Sequence, residues 1–283
     1  EVAESAIEGG FDMVNDICGF ADPEMPEVCQ EFDAAVVKMA SPPDLERPGA
    51  VEEMDWTEAC GAEWAATAEY VDQVYAALER NGFTEKTIVD PAFGGWSEFQ
   101  TLEHDRETLR RLREFRGLDR PILVSINRKN FLRKLAGRST EDALPVSLAA
   151  TAMAVERGAH VIRTHDVGET RDAAIIGEEF TRERVADPDR GIEELDVTRV
   201  AEAERHLDRI GRPTAGGGDA VTRMFELSGI DDPQAANLAA LASDHEVRFF
   251  QGDGTAMLVG TPTALDRLAT AAAERALADA LVD

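Results

Sequence analysis

Lysine is nearly missing from this chain, since only four of its 283 residues are lysines among 29 basic residues. Acidic residues number 56, which gives a formal net charge of -27 at pH 7. A surface with so much negative charge repels nucleic acids and anionic membranes. The composition therefore excludes both as partners.

The excess of negative charge also indicates where the protein works. Self-repulsion of this size destabilises a compact fold at low ionic strength, and molar salt relieves it by shortening the screening length to about 3 Å. We therefore predict a halophilic protein. An ordinary acidic protein is the alternative, but acidity alone does not account for the scarcity of lysine.

Cysteines and long apolar runs are scarce as well. The three cysteines, Cys18, Cys29 and Cys60, are odd in number and lack the spacing of metal ligands, so we expect reduced thiols. No apolar run approaches the roughly 18 residues of a membrane span, and no signal peptide precedes the fold. The sequence begins inside a predicted helix, and the predicted localisation is cytoplasmic.

Short apolar runs alternate with longer helical patterns along the first two thirds of the chain. This alternation is typical of repeated strand-helix units around a parallel sheet, and the continuous Ile/Val character of the runs predicts strands buried on both faces. The five predicted strands are Phe11–Asn15, Ala34–Lys38, Thr87–Asp90, Ile122–Ser125 and His160–Arg163.

The segments between the strands have helical spacing. The predicted helical faces and segments are Val71, Val74 and Leu78; Leu109, Leu112 and Phe115; an alanine-rich helix from about Ala143 to Arg157, stopped by Gly158; and a helix carrying Thr170 to Phe180. The alternation ceases after these segments. We therefore predict a boundary near residue 190, with one domain at residues 1–189 and another at residues 190–283.

The second predicted domain is a small α+β module of unknown role. Its predicted elements are a helix at Val200–Ile210, a strand around Met224 and Phe225, a helix after Asp232, a hairpin joining Val247–Phe250 to Met257–Val259 through Asp253-Gly254, and a closing helix. The run Gly216-Gly217-Gly218 is predicted to be a linker, because no Lys-Ser/Thr follows it as in a phosphate-binding loop.

Polar side chains end every predicted strand. They are Asn15, Asp16, Lys38, Asp90, Asn127, Arg128, Lys129, Arg163, His165 and Asp166. In a parallel barrel the carboxyl ends of the strands carry the active site. The set therefore predicts a site for a polar ligand, whereas a merely solvated rim is the alternative.

These residues carry a family resemblance. Asn15-Asp16 after an apolar strand, Asp90-Pro91 followed by Gly94, Arg128-Lys129, and Arg163-Thr164-His165-Asp166-Val167 occur in the order and spacing of the last five strands of dihydropteroate synthases. The resemblance covers about residues 1–186. It implies an α/β fold of the TIM-type (β/α)8 barrel class with strands 4 to 8 present, followed by the small α+β domain.

The resemblance implies a transferase of folate biosynthesis that condenses dihydropterin-CH2-pyrophosphate with p-aminobenzoate to dihydropteroate and pyrophosphate. It implies that Asp90 and Asn15 bind the edges of the pterin ring, with Met39 and Arg128 also in the substrate site. Lys129 would reach the pterin carbonyl and ring nitrogen. Arg163 and His165 would hold the leaving pyrophosphate, so the implied catalytic residues are Arg163, His165 and Lys129.

Three features depart from the family's pattern. The stretch from Pro91 to Ser97 lacks the usual Phe-x-Lys, and asparagines at 127 and 130 stand where the family has serines. The first three strands of the family, with their pyrophosphate-binding and pterin-binding loops, do not precede Glu1. The Mg2+ implied by the resemblance would take its protein ligand from that part, and we expect the isolated chain to be inactive.

Two other functions stay open at this point. A pterin-dependent methyltransferase shares the barrel and the Asp/Asn pterin edge, but no pyrophosphate leaves in its reaction. A non-catalytic remnant or partner subunit of the synthase would also retain the fold. The acceptor amine, a homodimer, and an upstream folate-synthase domain of the kind fused to some haloarchaeal synthases are left open as well.

Overall fold

The computed structural model describes residues 1–42, 49, 51–94, 100–212, 216–252 and 254–282. The chain divides into two compact units, Glu1–Glu183 and Arg184–Asp283. Gly95, Trp96, Ser97 and Asp253, which figure in the sequence predictions, lie outside the described residues. The assignment of separate domains to residues 1–189 and 190–283 stays a prediction.

Short, mostly apolar runs form the strands of the first unit, and the three central strands are buried on both faces. The strands are β1 (Met13–Asp16), β2 (Ala35–Met39), β3 (Thr87–Asp90), β4 (Leu123–Ser125) and β5 (Val161–Arg163). Pairing is parallel between β1 and β2, β2 and β3, and β4 and β5, and a bridge between Val89 and Ile122 joins β3 to β4. All five predicted strands are confirmed to within two residues at each end, in a mixed α/β unit.

Helices connect these strands. In the described part of the first unit they are α1 (Val2–Glu8), α2 (Glu24–Glu31), α3 (Trp56–Cys60), α4 (Ala62–Thr67), α5 (Tyr70–Glu79), α6 (Leu102–Arg110), α7 (Asn130–Ala136), α8 (Leu144–Glu156) and α9 (Val167–Glu179). The predicted apolar face of α5 is buried, with Val71, Val74 and Leu78 at 1% exposed or less. The predicted helices at α8 and α9 are also confirmed.

The prediction of one helical face through Leu109, Leu112 and Phe115 is wrong. α6 ends at Arg110, and a 3-10 helix covers Leu112–Leu118. All three side chains are buried, but Leu109 lies in α6, and only Leu112 and Phe115 lie in the 3-10 helix, where their spacing matches three residues per turn. A spacing of three residues therefore did not distinguish the two helix types.

The alanine-rich α8 packs closely against α9. A Cβ added to Gly177 of α9 would lie 2.6 Å from the carbonyl oxygen of Ala152 of α8. Such a distance is far inside van der Waals contact, so the approach of the two helices depends on a residue without a side chain. Ala150 and Ala154 of α8 are buried at 2% exposed or less.

One face of the sheet carries an apolar layer made of Val37, Ile88, Leu123 and Val161, one residue from each of four strands. Side chains two residues apart on a strand point to the same face. Met39, Asp90, Ser125 and Arg163 therefore lie on that face too, one step nearer the carboxyl ends of the same strands. This alternation positions the candidate site.

The second unit has its own sheet and apolar core. Its elements are β6 (Ala186–Asp187), β7 (Ile192–Glu193), α10 (Val200–Arg209), β8 (Arg223–Ser228), α11 (Asp232–Asp244), β9 (Arg248–Gln251), β10 (Thr255–Gly260) and α12 (Pro262–Val282). β10 pairs antiparallel with β8 and β9, and Ala242, Val247, Leu258, Ala264 and Leu268 form the core. Across the described ranges of the chain, no helix is long and apolar enough to cross a membrane.

Candidate functional site

Arg163 lies among the polar side chains on the face of the sheet that carries the apolar layer, which is called the inner face below. It ends β5, and its Nη1 donates a hydrogen bond of 2.8 Å to Oδ1 of Asn15 on β1. Its Nε donates at 3.3 Å to Oγ of Ser125 on β4. Val37 pairs with Asn15 in register, so Asn15 belongs to the same face. The structure thus brings the predicted Asn15 and Arg163 together.

Asp90 ends β3 and is 1% exposed. Its Oδ1 accepts a hydrogen bond of 2.9 Å from the backbone N–H of Ala92. Burial raises the pKa of the Asp90 carboxyl to about 6, against the opposing influence of the Arg163 charge, the Ala92 hydrogen bond and the Lys129 charge. The site therefore holds a desolvated carboxylate that two cations stabilise.

The segment after Asp90 follows an unusual backbone path. Ala92 has a φ of 57° and Gly94 a φ of 92°, so two residues of the loop adopt left-handed conformations. A Cβ added to Gly94 would lie 2.5 Å from Cδ of Lys129. The loop and the Lys129 side chain are therefore in close contact, and a side chain at position 94 would be strained by the positive φ and would displace Lys129.

Lys129 precedes α7 and reaches back to this loop, where its ammonium donates a long hydrogen bond of 3.4 Å to the carbonyl oxygen of Gly94. Burial lowers the pKa of the Lys129 ammonium. The negative charges of Asp90 and Asp105 oppose this shift, whereas the charge of Arg163 adds to it. Lys129 is therefore electrostatically coupled to the predicted site residues Asp90 and Arg163.

Arg128 is occupied by a different partner. Its guanidinium binds the Asp166 carboxylate through two hydrogen bonds, of 2.9 and 3.2 Å, and reaches the carbonyl oxygens of Thr140 and Glu141 at 3.3 Å. The hydrogen bond and charge of this pair raise the pKa of Arg128 and lower that of Asp166. The pair links the loops that follow β4 and β5, and His165 beside it is exposed.

Two other strand-end residues contact backbone groups of neighbouring loops. Lys38 lies on the opposite face of β2 from Val37, is 0% exposed, and donates to the backbone carbonyls of Arg80 and Gly82. Burial lowers its pKa to about 8. Asp16 accepts hydrogen bonds from the backbone N–H groups of Cys18 and Phe20, at 2.8 and 2.7 Å. Both side chains stabilise loops through these contacts, and the family resemblance implied no substrate contact for either.

Met39 faces the site side of β2 but is 1% exposed and belongs to the main apolar core. Its predicted contact with a substrate stays a prediction. Sequence reasoning missed Ser125, which contacts Arg163, and Asp105, which contacts the loop after Asp90. The alternation along β4 could have revealed Ser125, whereas the contact of Asp105 depends on how a loop folds back on a helix.

Comparisons with known proteins match the part of the chain that contains these residues. A family model described as "Pterin binding enzyme" matches residues 1–165. The chain is 34% identical over 179 residues to a Halobacterium salinarum protein named "Probable bifunctional folylpolyglutamate synthase/dihydropteroate synthase", a match that covers 63% of this chain and 21% of that protein. It is 32% identical over 197 residues to the dihydropteroate synthase type-1 of Escherichia coli, covering 68% of each.

A solved structure is also similar. The dihydropteroate synthase of Thermus thermophilus in complex with 6HMPPP is 29% identical, with a TM-score of 0.50 over 63% of this chain and 68% of that one. The chain thus spans about two thirds of the two single-function relatives and about a fifth of the bifunctional one.

Proposed function

Because the chain belongs to the pterin binding enzyme family, we propose that it is part of a dihydropteroate synthase. The reaction would condense dihydropterin-CH2-pyrophosphate with p-aminobenzoate and release pyrophosphate. The observation that carries the proposal is the Asp90 carboxylate, buried on the inner face of the sheet and flanked by the charges of Arg163 and Lys129. The site thereby combines a hydrogen-bond acceptor for the pterin ring with cations for the pyrophosphate oxygens.

The pterin ring presents an edge of N–H donors resembling an amidine. A buried carboxylate that accepts two such donors forms strong charge-assisted hydrogen bonds. Asp90 would take this edge, and Asn15, with one acceptor and two donors in its amide, would take another edge of the ring. Lys129, as a mobile point charge beside Asp90, would meet the pterin carbonyl and ring nitrogen.

Arg163 would stabilise the leaving pyrophosphate. In the described structure its guanidinium donates to two neutral oxygens, those of Asn15 and Ser125, so these contacts do not neutralise its charge. A guanidinium fork matches a phosphate group bidentately. Stabilising the charge that grows on a leaving group is usually the largest catalytic contribution. His165, exposed two residues further on, would be a second donor to the pyrophosphate.

The five parallel strands would be strands 4 to 8 of a (β/α)8 barrel, and residues 190–283 would form a separate small domain. The remaining strands, with the loops that complete the pyrophosphate site, would come from further polypeptide. In the described ranges no group of three or more His, Cys, Asp or Glu residues could hold a metal ion. The residues here therefore do not fit a magnesium site of their own, and the implied Mg2+ stays a prediction.

The test is pyrophosphate formation from dihydropterin-CH2-pyrophosphate and p-aminobenzoate in molar KCl. The chain is assayed alone and with a segment of the family's first three strands, fused or added separately. We expect activity only with that segment. No pyrophosphate in either arm would refute the synthase assignment and favour a non-catalytic subunit, whereas full activity of the chain alone would refute the need for further strands.

Within the active form, Arg163→Ala should lower turnover by about 100-fold or more, because its guanidinium meets charge that develops in the transition state. The exposed Arg171→Ala on α9 is the matched control and should leave turnover unchanged. If Arg163→Ala raised the Michaelis constant but left turnover unchanged, the role assigned to Arg163 would be wrong.

A further inference from the structure

Asp105 is a buried carboxylate in the first turn of α6. It is 4% exposed, and its Oδ1 accepts hydrogen bonds from the backbone N–H of Gly94 at 2.9 Å and from Nε2 of Gln100 at 2.7 Å. Nε2 of Gln100 also donates to the carbonyl oxygen of Ala92 at 3.0 Å. The carboxylate therefore holds the loop after β3 at two points, directly at Gly94 and through Gln100 at Ala92.

The same two loop residues, Ala92 and Gly94, also contact the candidate site. The N–H of Ala92 binds the Asp90 carboxylate, and the carbonyl of Gly94 accepts from the Lys129 ammonium. The peptide groups of Gly94 thus have Asp105 on one side and Lys129 on the other. Since Ala92 and Gly94 both have left-handed backbone conformations, which cost energy at Ala92, the loop needs external contacts to keep this path.

Asp105 also acts through its charge. The negative charge of Asp105 favours the protonated form of Lys129, and the charge of Lys129 in turn favours ionisation of Asp105. Burial disfavours the charge of both groups. The first turn of a helix is a favourable place for a carboxylate, because the N–H groups there present partial positive charge. Each group therefore favours the charged form of the other, with Asp105 ionised and Lys129 protonated.

We propose that Asp105 is a positioning residue of the pterin site, which fixes the loop that orients Asp90 and keeps the Lys129 ammonium charged against it. The proposal rests on the proposed function in so far as the ligand is a pterin. The contacts from Asp105 through Gly94 to Lys129 do not depend on the ligand, so they can be tested on this chain alone.

Two substitutions separate the contributions of geometry and charge. Asp105→Asn keeps an oxygen that can accept from the Gly94 N–H but removes the negative charge. Asp105→Ala removes both. Glu103→Gln is the matched control, because it removes a charge of the same sign from the same turn of α6, where Glu103 is 57% exposed at its side chain and pairs with Arg106.

The first measurement follows the titration of Lys129 by NMR, with lysine labelled with 13C at Cε. The chain has four lysines, so few signals arise, and Lys129→Arg assigns the one of interest. We expect the Lys129 midpoint to fall in Asp105→Asn, because the substitution removes a negative charge that favours the ammonium form. In Glu103→Gln the midpoint should stay at the wild-type value.

The second measurement is the affinity for dihydropterin-CH2-pyrophosphate, with the barrel completed as described above. Asp105→Ala should weaken binding by about tenfold or more, the cost of losing a charge-assisted hydrogen bond. At pH 7, Asp105→Asn should bind the ligand within a few-fold of the wild-type affinity. As the pH is raised and Lys129 loses its proton, the variant should lose affinity at a lower pH than the wild type does. If Asp105 served only to stabilise α6, affinity would be lost at the same alkaline pH in Asp105→Asn and in the wild type.

The proposal is overturned if Asp105→Asn leaves the Lys129 midpoint at the value of the Glu103→Gln control. It is equally overturned if Asp105→Ala binds the pterin as that control does. If Asp105→Ala does not fold, the proposal is decided by Asp105→Asn alone, from its Lys129 titration and from the alkaline pH at which it loses affinity. If the wild-type protein binds no pterin, the proposed function fails, while the NMR titration still decides whether Asp105 sets the charge of Lys129.

Discussion

Replacing Asp90 by asparagine should change how the stability of the protein depends on pH. Asparagine has nearly the same shape and keeps an oxygen for the Ala92 N–H, but it cannot ionise. Burial raises the pKa of Asp90 from 3.8 to about 6. Between these two values the folded chain binds a proton that the unfolded chain has released, so the unfolding free energy falls as pH rises through this range.

The size of the effect follows from the difference between the two pKa values. A shift of about 2 pH units corresponds to about 3 kcal/mol, since each unit is worth about 1.4 kcal/mol. This stability is fully present below pH 3.8 and is lost by the time the pH has risen past about 6. A domain of this kind has only about 5 to 15 kcal/mol in total, so the ionised Asp90 is a considerable burden.

The assay is urea unfolding in molar KCl at a series of pH values from about 4 to about 7, a range that brackets the folded pKa of Asp90. Relative to Asp90→Asn, the wild-type protein should lose about 3 kcal/mol across this range. Glu63→Gln, which removes an exposed charge on α4, should follow the wild-type curve. Affinity for the pterin ligand should behave in the opposite way: it falls about tenfold per unit as the pH drops below about 6 in the wild type, and it is weak at every pH in Asp90→Asn.

Parallel curves for the wild type and Asp90→Asn would refute the reasoning. They would mean that Arg163 and Lys129 stabilise the ionised carboxylate enough to cancel its burial. A stability difference without any change in pterin affinity would leave the electrostatics intact but remove Asp90 from the substrate site.

The remaining predictions concern the charge of the whole chain and two buried groups. The protein should be compact in molar KCl and expanded in dilute buffer, by circular dichroism and gel filtration, because its charge of -27 needs screening, and equal compactness would contradict the halophilic assignment. Unfolding free energy should rise between about pH 8 and pH 10.5, because buried Lys38 loses its proton in the folded state before it does so in the unfolded state, and Lys38→Met should abolish that rise. Glu114→Ala should cost about 1 to 3 kcal/mol in urea unfolding, because buried Arg111 loses its bidentate carboxylate but keeps its contacts to Glu69 and Asp72. Glu107→Ala, on an exposed pair with Arg110, should cost less than about 1 kcal/mol.

The strands were predictable from the sequence because each is a short β-branched run ended by a polar residue. The face that each strand-end residue occupies was predictable in principle as well. Lys38 adjoins Val37, and Val37 belongs to the inner apolar layer, so alternation alone sends Lys38 to the other side. Grouping every polar strand end together overlooked this rule, which separates Lys38 from the residues on the face of Val37.

Contacts between distant loops were not predictable in this way. The pair of Arg128 and Asp166 joins positions 38 apart, and Asp105 binds the backbone N–H of Gly94 in a loop 11 positions away. Neither leaves a periodic or compositional trace, because each depends on where a loop returns after leaving the sheet. The residues of the resemblance were therefore found by motif, whereas the groups that hold them in place were found in the structure.

The hydrogen bond between Arg163 and Asn15 spans 148 positions of the chain, from the first strand to the fifth. Contacts of such long sequence separation form late in folding, because the intervening chain must be ordered before the loop closes. A nascent chain that has emerged only as far as α8 contains three of the four residues of the apolar layer, and it lacks Arg163. The contact between Arg163 and Asn15 therefore needs the fifth strand, and a spectroscopic label at either residue would time its formation.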